Sequence, residues 1–199
     1  MIQSHQRGSL DVGYREFTVP PGQVSLFGMV SASSEENRAK VWLRTGVTPR
    51  LDVGAGYSHM GNRFSLIATW HPLSSRDGLP FDVLLGYGFS SSNVREQEGF
   101  YAFAVKSFGN LSLVTGFERL RNGRNIGVLA GSFVLTPDTG LMFYLHTGSM
   151  PGEPTLYNLA FIRRVGEWQI GLWWFHPSRE STVGLSFTTQ FTLGGRQGD

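Results

Sequence analysis

Cysteine is absent from this chain of 199 residues. Its absence excludes thiol catalysis, disulfide bonds and cysteine-based metal sites, and it is compatible with an oxidising periplasm. Charge is also scarce, because charged residues make up 16% of the sequence, against about 25% in an ordinary soluble domain. The basic residues behind the formal net charge of +2 are scattered along the chain, so the sequence does not favour nucleic acid as a partner.

Long hydrophobic runs are missing as well. No apolar stretch approaches the roughly 20 residues that a membrane-spanning helix requires, and residues 1–7 lack the apolar core of a signal peptide. Any membrane placement would therefore use strands. The missing signal is expected if the sequence is a mature or recombinant form, and it counts against export if Met1 is the native start. Glycine, with 26 residues, and aromatic residues, at 13%, are abundant. This composition suits a fold with many turns whose outer surface is not in water.

A strand-like segment recurs every thirty residues in the middle of the chain. Copies begin at Leu51, Phe81, Leu111 and, more loosely, Leu141, and looser copies begin at Val24 and Trp168. A fixed period of this kind indicates one repeated structural unit, here a pair of strands. We therefore predict an all-β fold, a closed antiparallel up-and-down barrel of about 12 strands, because the sequence contains six such copies.

Alternation within the segments indicates that one face of each strand meets an apolar phase. In segment 182–193 the odd positions are mostly apolar and the even positions small or polar, over about the 9 to 11 residues that a tilted strand needs to cross a bilayer. The same pattern occurs at 62–72 and 167–176, apart from Ile67 and Trp173. The strands are predicted at 23–32, 38–46, 50–59, 62–72, 80–90, 98–107, 111–120, 125–135, 139–148, 154–165, 167–176 and 181–193.

Connections and aromatic residues give the predicted barrel two distinct ends. Tight turns such as 108–110 alternate with longer polar loops such as 91–98. Aromatic residues gather at the strand ends, with Tyr57, Tyr87, Phe89 and Trp174 towards the loops and Trp70, Trp168 and Phe191 towards the turns. In these features residues 23–193 resemble the bacterial outer-membrane β-barrels, in which such aromatics form two girdles. The alternative is that aromatic residues simply favour strands and cores.

The resemblance implies a transmembrane barrel in the bacterial outer membrane, with outer-membrane lipid around it. Residues 1–22 would lie before the barrel, residues 23–193 would form it and residues 194–199 would be a tail. Segment 10–14 echoes the repeat, but a thirteenth strand would break the even count. Residues 1–22 are therefore predicted to be a periplasmic segment or a plug in the lumen.

Four charged residues are predicted to line the lumen. Counting across the hairpins places Asp52 opposite Arg44 and Asp82 opposite Lys106, with both pairs facing inward near the turns. An inward charge is unfavourable unless it is paired or hydrated, so these pairs favour a polar, partly hydrated lumen. The alternative is a lumen closed by ion pairs and by large side chains, namely Trp42, Met142, Tyr144 and Trp173.

Glycine also follows the period, at Gly56, Gly86 and Gly116, which places these residues at one depth inside the barrel. Glycine relieves crowding where a sheet bends inward, and a closed barrel needs such points. A ligand channel opened by the glycines is the alternative explanation.

The most charged hairpin tip lies at 118–124 and contains Arg119, Arg121 and Arg124. Guanidinium groups bind phosphate bidentately, so these residues are candidates for contact with the phosphates of a surface glycolipid such as lipopolysaccharide. The sequence favours the other interpretation, a solvated tip, because surface charges usually contribute little.

Motifs for chemistry are missing. No phosphate-binding loop, dinucleotide fingerprint or calcium loop is present. The nearest approach to a hydrolase site is His146 with Ser149, and it lacks the spacing and the orienting Asn or Asp of a triad. The sequence therefore predicts no enzyme, cofactor or metal, and it favours a small passive channel of the porin type. Two alternatives stay open: a closed barrel that anchors or scaffolds an envelope complex through a protein partner, and a soluble or lipid-binding barrel.

Overall fold

The chain forms a closed antiparallel barrel in which each strand pairs with its neighbours in sequence, and β1 pairs with β12. The computed structural model describes residues 19–32, 37–59, 63–91, 99–121, 123–147, 156–176 and 182–192. The strands are β1 (Gln23–Ala32), β2 (Asn37–Thr48), β3 (Leu51–Ser58), β4 (Arg63–Leu73), β5 (Asp82–Ser90), β6 (Gly99–Phe108), β7 (Leu111–Leu120), β8 (Asn125–Thr136), β9 (Thr139–Thr147), β10 (Leu156–Val165), β11 (Trp168–His176) and β12 (Thr182–Thr192). A short 3₁₀-helix, Ser75–Asp77, lies between β4 and β5. No helix in the described part of the chain is long and apolar enough to cross a membrane.

The predicted fold class is confirmed, and no predicted strand boundary differs from the observed one by more than two residues. Two-residue turns at 49–50, 109–110, 137–138 and 166–167 join strands at one end, together with the connection 74–81. We call this end the turn side and the opposite end the loop side. The predicted plug and tail fall largely on residues 1–18 and 193–199, which lie outside the described residues.

The outer face of the barrel is apolar. On β12, Val183 and Leu185 are 53% and 52% exposed, whereas Ser186 between the outward positions is 5% exposed. Successive side chains of a strand point to opposite faces, so the apolar positions of the sequence pattern lie outside and the small polar ones inside. A soluble barrel would require the opposite arrangement.

Aromatic side chains form two rings on this outer face, near the two ends. All seven residues predicted for the girdles are exposed there: Tyr57, Tyr87, Phe89 and Trp174 on the loop side, and Trp70, Trp168 and Phe191 on the turn side. Edge contacts join Tyr157 to Trp174, with ring centroids 5.5 Å apart, and Trp168 to Phe187, 5.9 Å apart. Such belts mark the two interfaces of a membrane barrel.

Buried apolar side chains of the described strands form two clusters inside the barrel. Cluster one consists of Met29, Met142, Ala160, Ile162 and Trp173, with Phe27 and Phe175 packed against it. Cluster two consists of Leu84, Tyr101, Phe103, Val105, Val114, Val128 and Ala130, with Ile67 and Tyr144 packed against it. The lumen is therefore more apolar than the polar lumen that the sequence favours, because large inward side chains fill part of it.

Candidate functional site in the barrel lumen

A network of polar contacts crosses the lumen from β2 to β6. Nη2 of Arg44 donates hydrogen bonds to the carboxylate of Asp52 and, at 2.9 Å, to Oγ1 of Thr69. The Tyr101 hydroxyl lies 2.6 Å from the same Thr69 oxygen, and Nε2 of His71 lies 3.4 Å from Oδ2 of Asp52. Asp52 and Thr69 are 1% and 0% exposed. The network thus supplies the hydrogen bonds that water would otherwise make to these buried groups.

Glycines on the intervening strands allow this network to form. Gly54 pairs with Arg44, and Gly86 lies between Thr69 on β4 and Tyr101 on β6. A Cβ atom on Gly86 would come within 2.1 Å of the Tyr101 ring, and one on Gly54 within 2.7 Å of Cγ of Arg44. Any side chain at these positions would occupy the path of the longer residue. Arg44 and Tyr101 therefore reach Thr69 by crossing a strand that has no side chain at that point.

The predicted row of Gly56, Gly86 and Gly116 is explained in the same way, by atoms of the neighbouring strand that leave no room for a side chain. Gly56 pairs with Trp42, and Gly116 pairs with Phe103. A Cβ atom on Gly56 would lie 2.4 Å from the Trp42 ring. One on Gly116 would lie 2.0 Å from the Ala102 carbonyl oxygen and 2.7 Å from the Phe103 ring. Glycine therefore relieves crowding by the adjacent strand, from an aromatic ring at Gly56 and from both backbone and ring at Gly116.

Arg44 and Asp52 are brought together, although their register differs from the prediction. Asp52 lies opposite Gly46, and Arg44 lies opposite Gly54. The register shifts between Gly46 and Thr48, just before the turn. Both charged residues still face inward because the difference is two residues, and the long Arg44 side chain bridges the diagonal.

The predicted pair of Asp82 and Lys106 is wrong. Asp82 lies opposite Val105, and a difference of one residue in register moves Lys106 to the other face of the sheet. Lys106 is exposed on the outside, with Nζ 5.1 Å from the centroid of the Phe108 ring. Asp82 is buried and accepts a hydrogen bond of 2.7 Å from the Ser75 backbone N–H. Asp82 therefore fixes the connection between β4 and β5.

The arginines of the predicted phosphate contact lie at one loop-side tip. Arg119 is exposed on the outward face near the end of β7, and Arg121 follows in the turn. The Leu120 N–H donates to the Arg124 carbonyl oxygen at 2.8 Å, and the Gly123 N–H donates to the Leu120 carbonyl oxygen at 2.9 Å. The tip is therefore a compact turn, and phosphate binding there stays a prediction.

Two cavities are lined by inward-facing side chains of the described residues. The larger, of about 510 Å³, lies on the turn side, and the smaller, of about 210 Å³, on the loop side. The larger cavity has apolar walls at Phe27, Trp42 and Ile67 and polar walls at Ser25, Arg44, Arg164, Glu167, Gln169, Thr188 and Gln190. Trp42 and Ile67 also line the smaller cavity. These two side chains therefore stand at the boundary between the cavities.

Three residues of the polar network and the turn-side cavity, Arg164, Thr69 and Tyr101, were not predicted from the sequence as site residues. Arg164 is inward-facing while its neighbour Arg163 is exposed on the outside, and the alternation of β10 contained the signal for this difference. Thr69 and Tyr101 belong to strands that are not adjacent, so no hairpin count could bring them together. Among the described residues, no group of three His, Asp or Glu side chains is arranged to hold a metal ion.

Comparison with known proteins identifies the fold. No protein-family model matches the sequence, and no curated protein matches it. The solved KdgM porin superposes with a TM-score of 0.71 at 10% identity, over 84% of this chain and 99% of that chain. The NanC porin gives a TM-score of 0.63 at 9% identity, over 83% and 98% of the two chains. Omp33 of Acinetobacter baumannii gives 0.57 at 10% identity, over 87% and 100%. The chain thus has the twelve-stranded, porin-like fold of outer-membrane barrels.

Proposed function

We propose that this protein is a small passive channel of the bacterial outer membrane. The observation that carries the proposal is the pair of lumenal cavities that meet at Trp42 and Ile67. Space on both sides of one narrow point is the arrangement that a pore with a constriction requires. The likeness in fold to the KdgM and NanC porins and the apolar outer face support the same conclusion.

The proposed channel admits only small solutes. Twelve strands enclose more room than the eight that side chains fill, and much less than the 16 to 18 of a water-filled porin. The two apolar clusters reduce this space further. Arg44 and Asp52 form an ion pair in the lumen, and Arg164 and Glu167 both line the turn-side cavity, so the proposed path for ions is lined by charges of both signs.

Conductance in planar lipid bilayers tests the channel. The purified chain should give small discrete steps, and Trp42→Ala should give larger ones because it widens the boundary between the cavities. Trp168→Ala is the matched control, since Trp168 lies on the outer face. If neither the full chain, nor Trp42→Ala, nor a chain that begins at Val19 carries current after confirmed insertion, the channel proposal fails.

A closed barrel that anchors an envelope complex is the second candidate. The two buried apolar clusters favour it, because packed side chains inside a barrel stabilise the fold and exclude water. Its partner would be another envelope protein. Folded, inserted protein that is silent in all three forms is the result expected for this candidate.

We also propose lipopolysaccharide as a lipid partner on the loop side. Arg119 pairs in register with Phe100, which pairs with the girdle residue Tyr87, and Arg121 and Arg124 belong to the turn that follows. Clustered guanidinium groups next to a membrane interface suit the phosphates of such a lipid.

A further inference from the structure

We propose that the loop-side cavity is a binding site for a small organic cation, an alkylammonium or quaternary ammonium group. The carboxylate of Glu118 supplies the opposite charge, and the rings of Trp42, Tyr101 and Tyr144 supply the faces against which the cation rests. Any effect of the cation on solute flow rests on the proposed channel function, whereas binding itself does not.

Glu118 lies on the inward face of β7, near the loop side. It pairs in register with Tyr101 on β6, and both residues line the cavity. Its neighbours in sequence, Phe117 and Arg119, are exposed on the outer face, as the alternation of a strand requires. The Glu118 side chain therefore belongs to the lumen, where it is partly buried.

Glu118 is the only charged side chain among the described residues that line this cavity. No Arg, Lys or His of the described part of the chain forms an ion pair with it. A carboxylate in a confined and partly apolar space is stabilised by a nearby positive charge, because removal from water disfavours an isolated ion. The cavity therefore favours a solute that brings a positive charge with it.

Aromatic rings line the same space. Tyr101 and Phe103 on β6 and Tyr144 on β9 come from strands on both sides of β7, and Trp42 comes from β2. The Tyr101 and Phe103 rings stack, with centroids 5.1 Å apart. The face of an aromatic ring attracts a cation within about 6 Å, and quaternary ammonium ligands are recognised in this way. A carboxylate combined with several rings matches that class of ligand.

The walls suit a compact organic cation better than a metal ion. Calcium takes about six to eight oxygen ligands, whereas no group of three His, Asp or Glu side chains among the described residues could hold a metal. Drug-sized ligands fill pockets of about 300–1,000 Å³, and the loop-side cavity measures about 210 Å³. Gly88 and Gly99 also line it, and neither has a side chain to fill the space. The cavity thus fits one small solute.

Equilibrium dialysis of radiolabelled choline against the full chain in a non-ionic detergent tests the site. The folded protein should bind choline saturably. Glu118→Gln should weaken binding at least about tenfold, because it removes the charge and keeps the shape of the side chain. Asp138→Asn is the matched control and should bind choline as the unaltered chain does, since Asp138 lies in the exposed turn between β8 and β9. Absence of saturable binding, or equal affinity in Glu118→Gln, would overturn the proposal.

Competing ions and a second pair of variants define the chemical class of the ligand. Tetramethylammonium should displace choline, whereas sodium at the same concentration should not, and equal displacement by the two ions would contradict an organic cation site. Tyr144→Phe should retain the affinity and Tyr144→Leu should lower it, because the ring and not the hydroxyl group contacts the cation. Both variants are compared as folded barrels, identified by the gel mobility of unheated samples. Unchanged affinity in folded Tyr144→Leu would contradict the role of that ring.

Conductance in planar bilayers separates the site from the channel. Choline should reduce the potassium current of the unaltered chain more than that of Glu118→Gln. Saturable binding without any current would retain the site and reject the channel. Current with equal choline affinity in the two chains would retain the channel and reject the site, so the two proposals fail separately.

Discussion

The hydroxyl group of Tyr101 on β6 lies 2.6 Å from Oγ1 of Thr69 on β4, across the strand that carries Gly86 between them. This contact joins two strands that share no backbone hydrogen bonds. Arg44 reaches the same oxygen from β2. Thr69 is thus the point at which polar side chains from both directions around the barrel meet, and it is fully buried.

Substituting Gly86 by Ala should destabilise the barrel more than removing the Tyr101 hydroxyl. The new methyl group would displace the Tyr101 ring, and overpacking of this kind costs about 1–3 kcal/mol. Tyr101→Phe keeps the ring and loses one hydrogen bond, at about 0.5–1.5 kcal/mol. Urea unfolding in detergent, followed by the gel mobility of unheated samples, measures both. A smaller loss for Gly86→Ala would mean that the ring does not lie over the glycine.

Replacing one partner of the Arg44–Asp52 pair should destabilise the folded barrel far more than replacing both. Arg44→Met leaves the Asp52 carboxylate buried without its main partner, at about 3–5 kcal/mol. Arg44→Met combined with Asp52→Leu should recover most of that loss, because no buried charge is then left uncompensated. The unfolding midpoints of the two single variants and the double variant form the required cycle. Additive effects would show that the pair is not coupled in the membrane-inserted protein.

Leu185→Arg should impair insertion into lipid, because Leu185 lies on the outer face. A charge on the lipid-facing side of such a barrel costs up to about 2–4 kcal/mol near the midplane. Gln190→Arg is the control on the same strand, since Gln190 lines the turn-side cavity. The folded fraction in lipid vesicles measures the difference. Equal insertion of both variants would invalidate the assignment of the two faces.

Arg164→Glu should shift ion selectivity towards cations. Arg164 lines the turn-side cavity, where reversing one charge changes the local ion concentration. Arg163→Glu makes the same change on the outward face and should leave selectivity unaltered. The reversal potential in a salt gradient distinguishes them, and an identical potential for the two variants would exclude Arg164 from the ion path.

Replacing Arg119, Arg121 and Arg124 together by Ser should abolish most of the stabilisation by lipopolysaccharide. Hydrogen bonds to charged groups contribute about 1.5–3 kcal/mol each, so the loss should appear as a smaller rise in melting temperature when the lipid is added. Arg50→Ser is the control at the turn side, where Arg50 pairs with Asp77 at 2.9 Å. A full response from the triple variant would favour the solvated tip.

The barrel could be predicted from the sequence because one short pattern repeats along the chain. Alternation fixed which face of β12 is apolar, and the thirty-residue period fixed the number of strands. Register was harder to predict, since it depends on how the residues of each connection are shared between turn and strand. The hairpin of Arg44 and Asp52 kept its facing in spite of a shift of two residues, whereas the shift of one residue at Asp82 reversed Lys106.

Contacts between strands that are not neighbours could not be predicted from the sequence. Thr69 and Tyr101 are ordinary residues of two amphipathic strands, and only the folded barrel shows that Gly86 leaves a path between them. The thirty-residue period predicts a glycine at position 86, but it does not predict that the Tyr101 ring lies over that glycine. The same applies to Trp42 and Ile67, which line both cavities although they belong to strands that are not neighbours.

Closure through β1 and β12 has a consequence for how the molecule assembles. The ten residue pairs from Gln23–Thr192 to Ala32–Val183 join the first strand to the last. Until β12 is in place, β1 and β11 both present unpaired edges, and such edges are prone to aggregation. The final seam has the greatest sequence separation in the chain and therefore the largest loop-closure entropy. Loss of β12 would accordingly leave an open, apolar sheet in place of a smaller barrel.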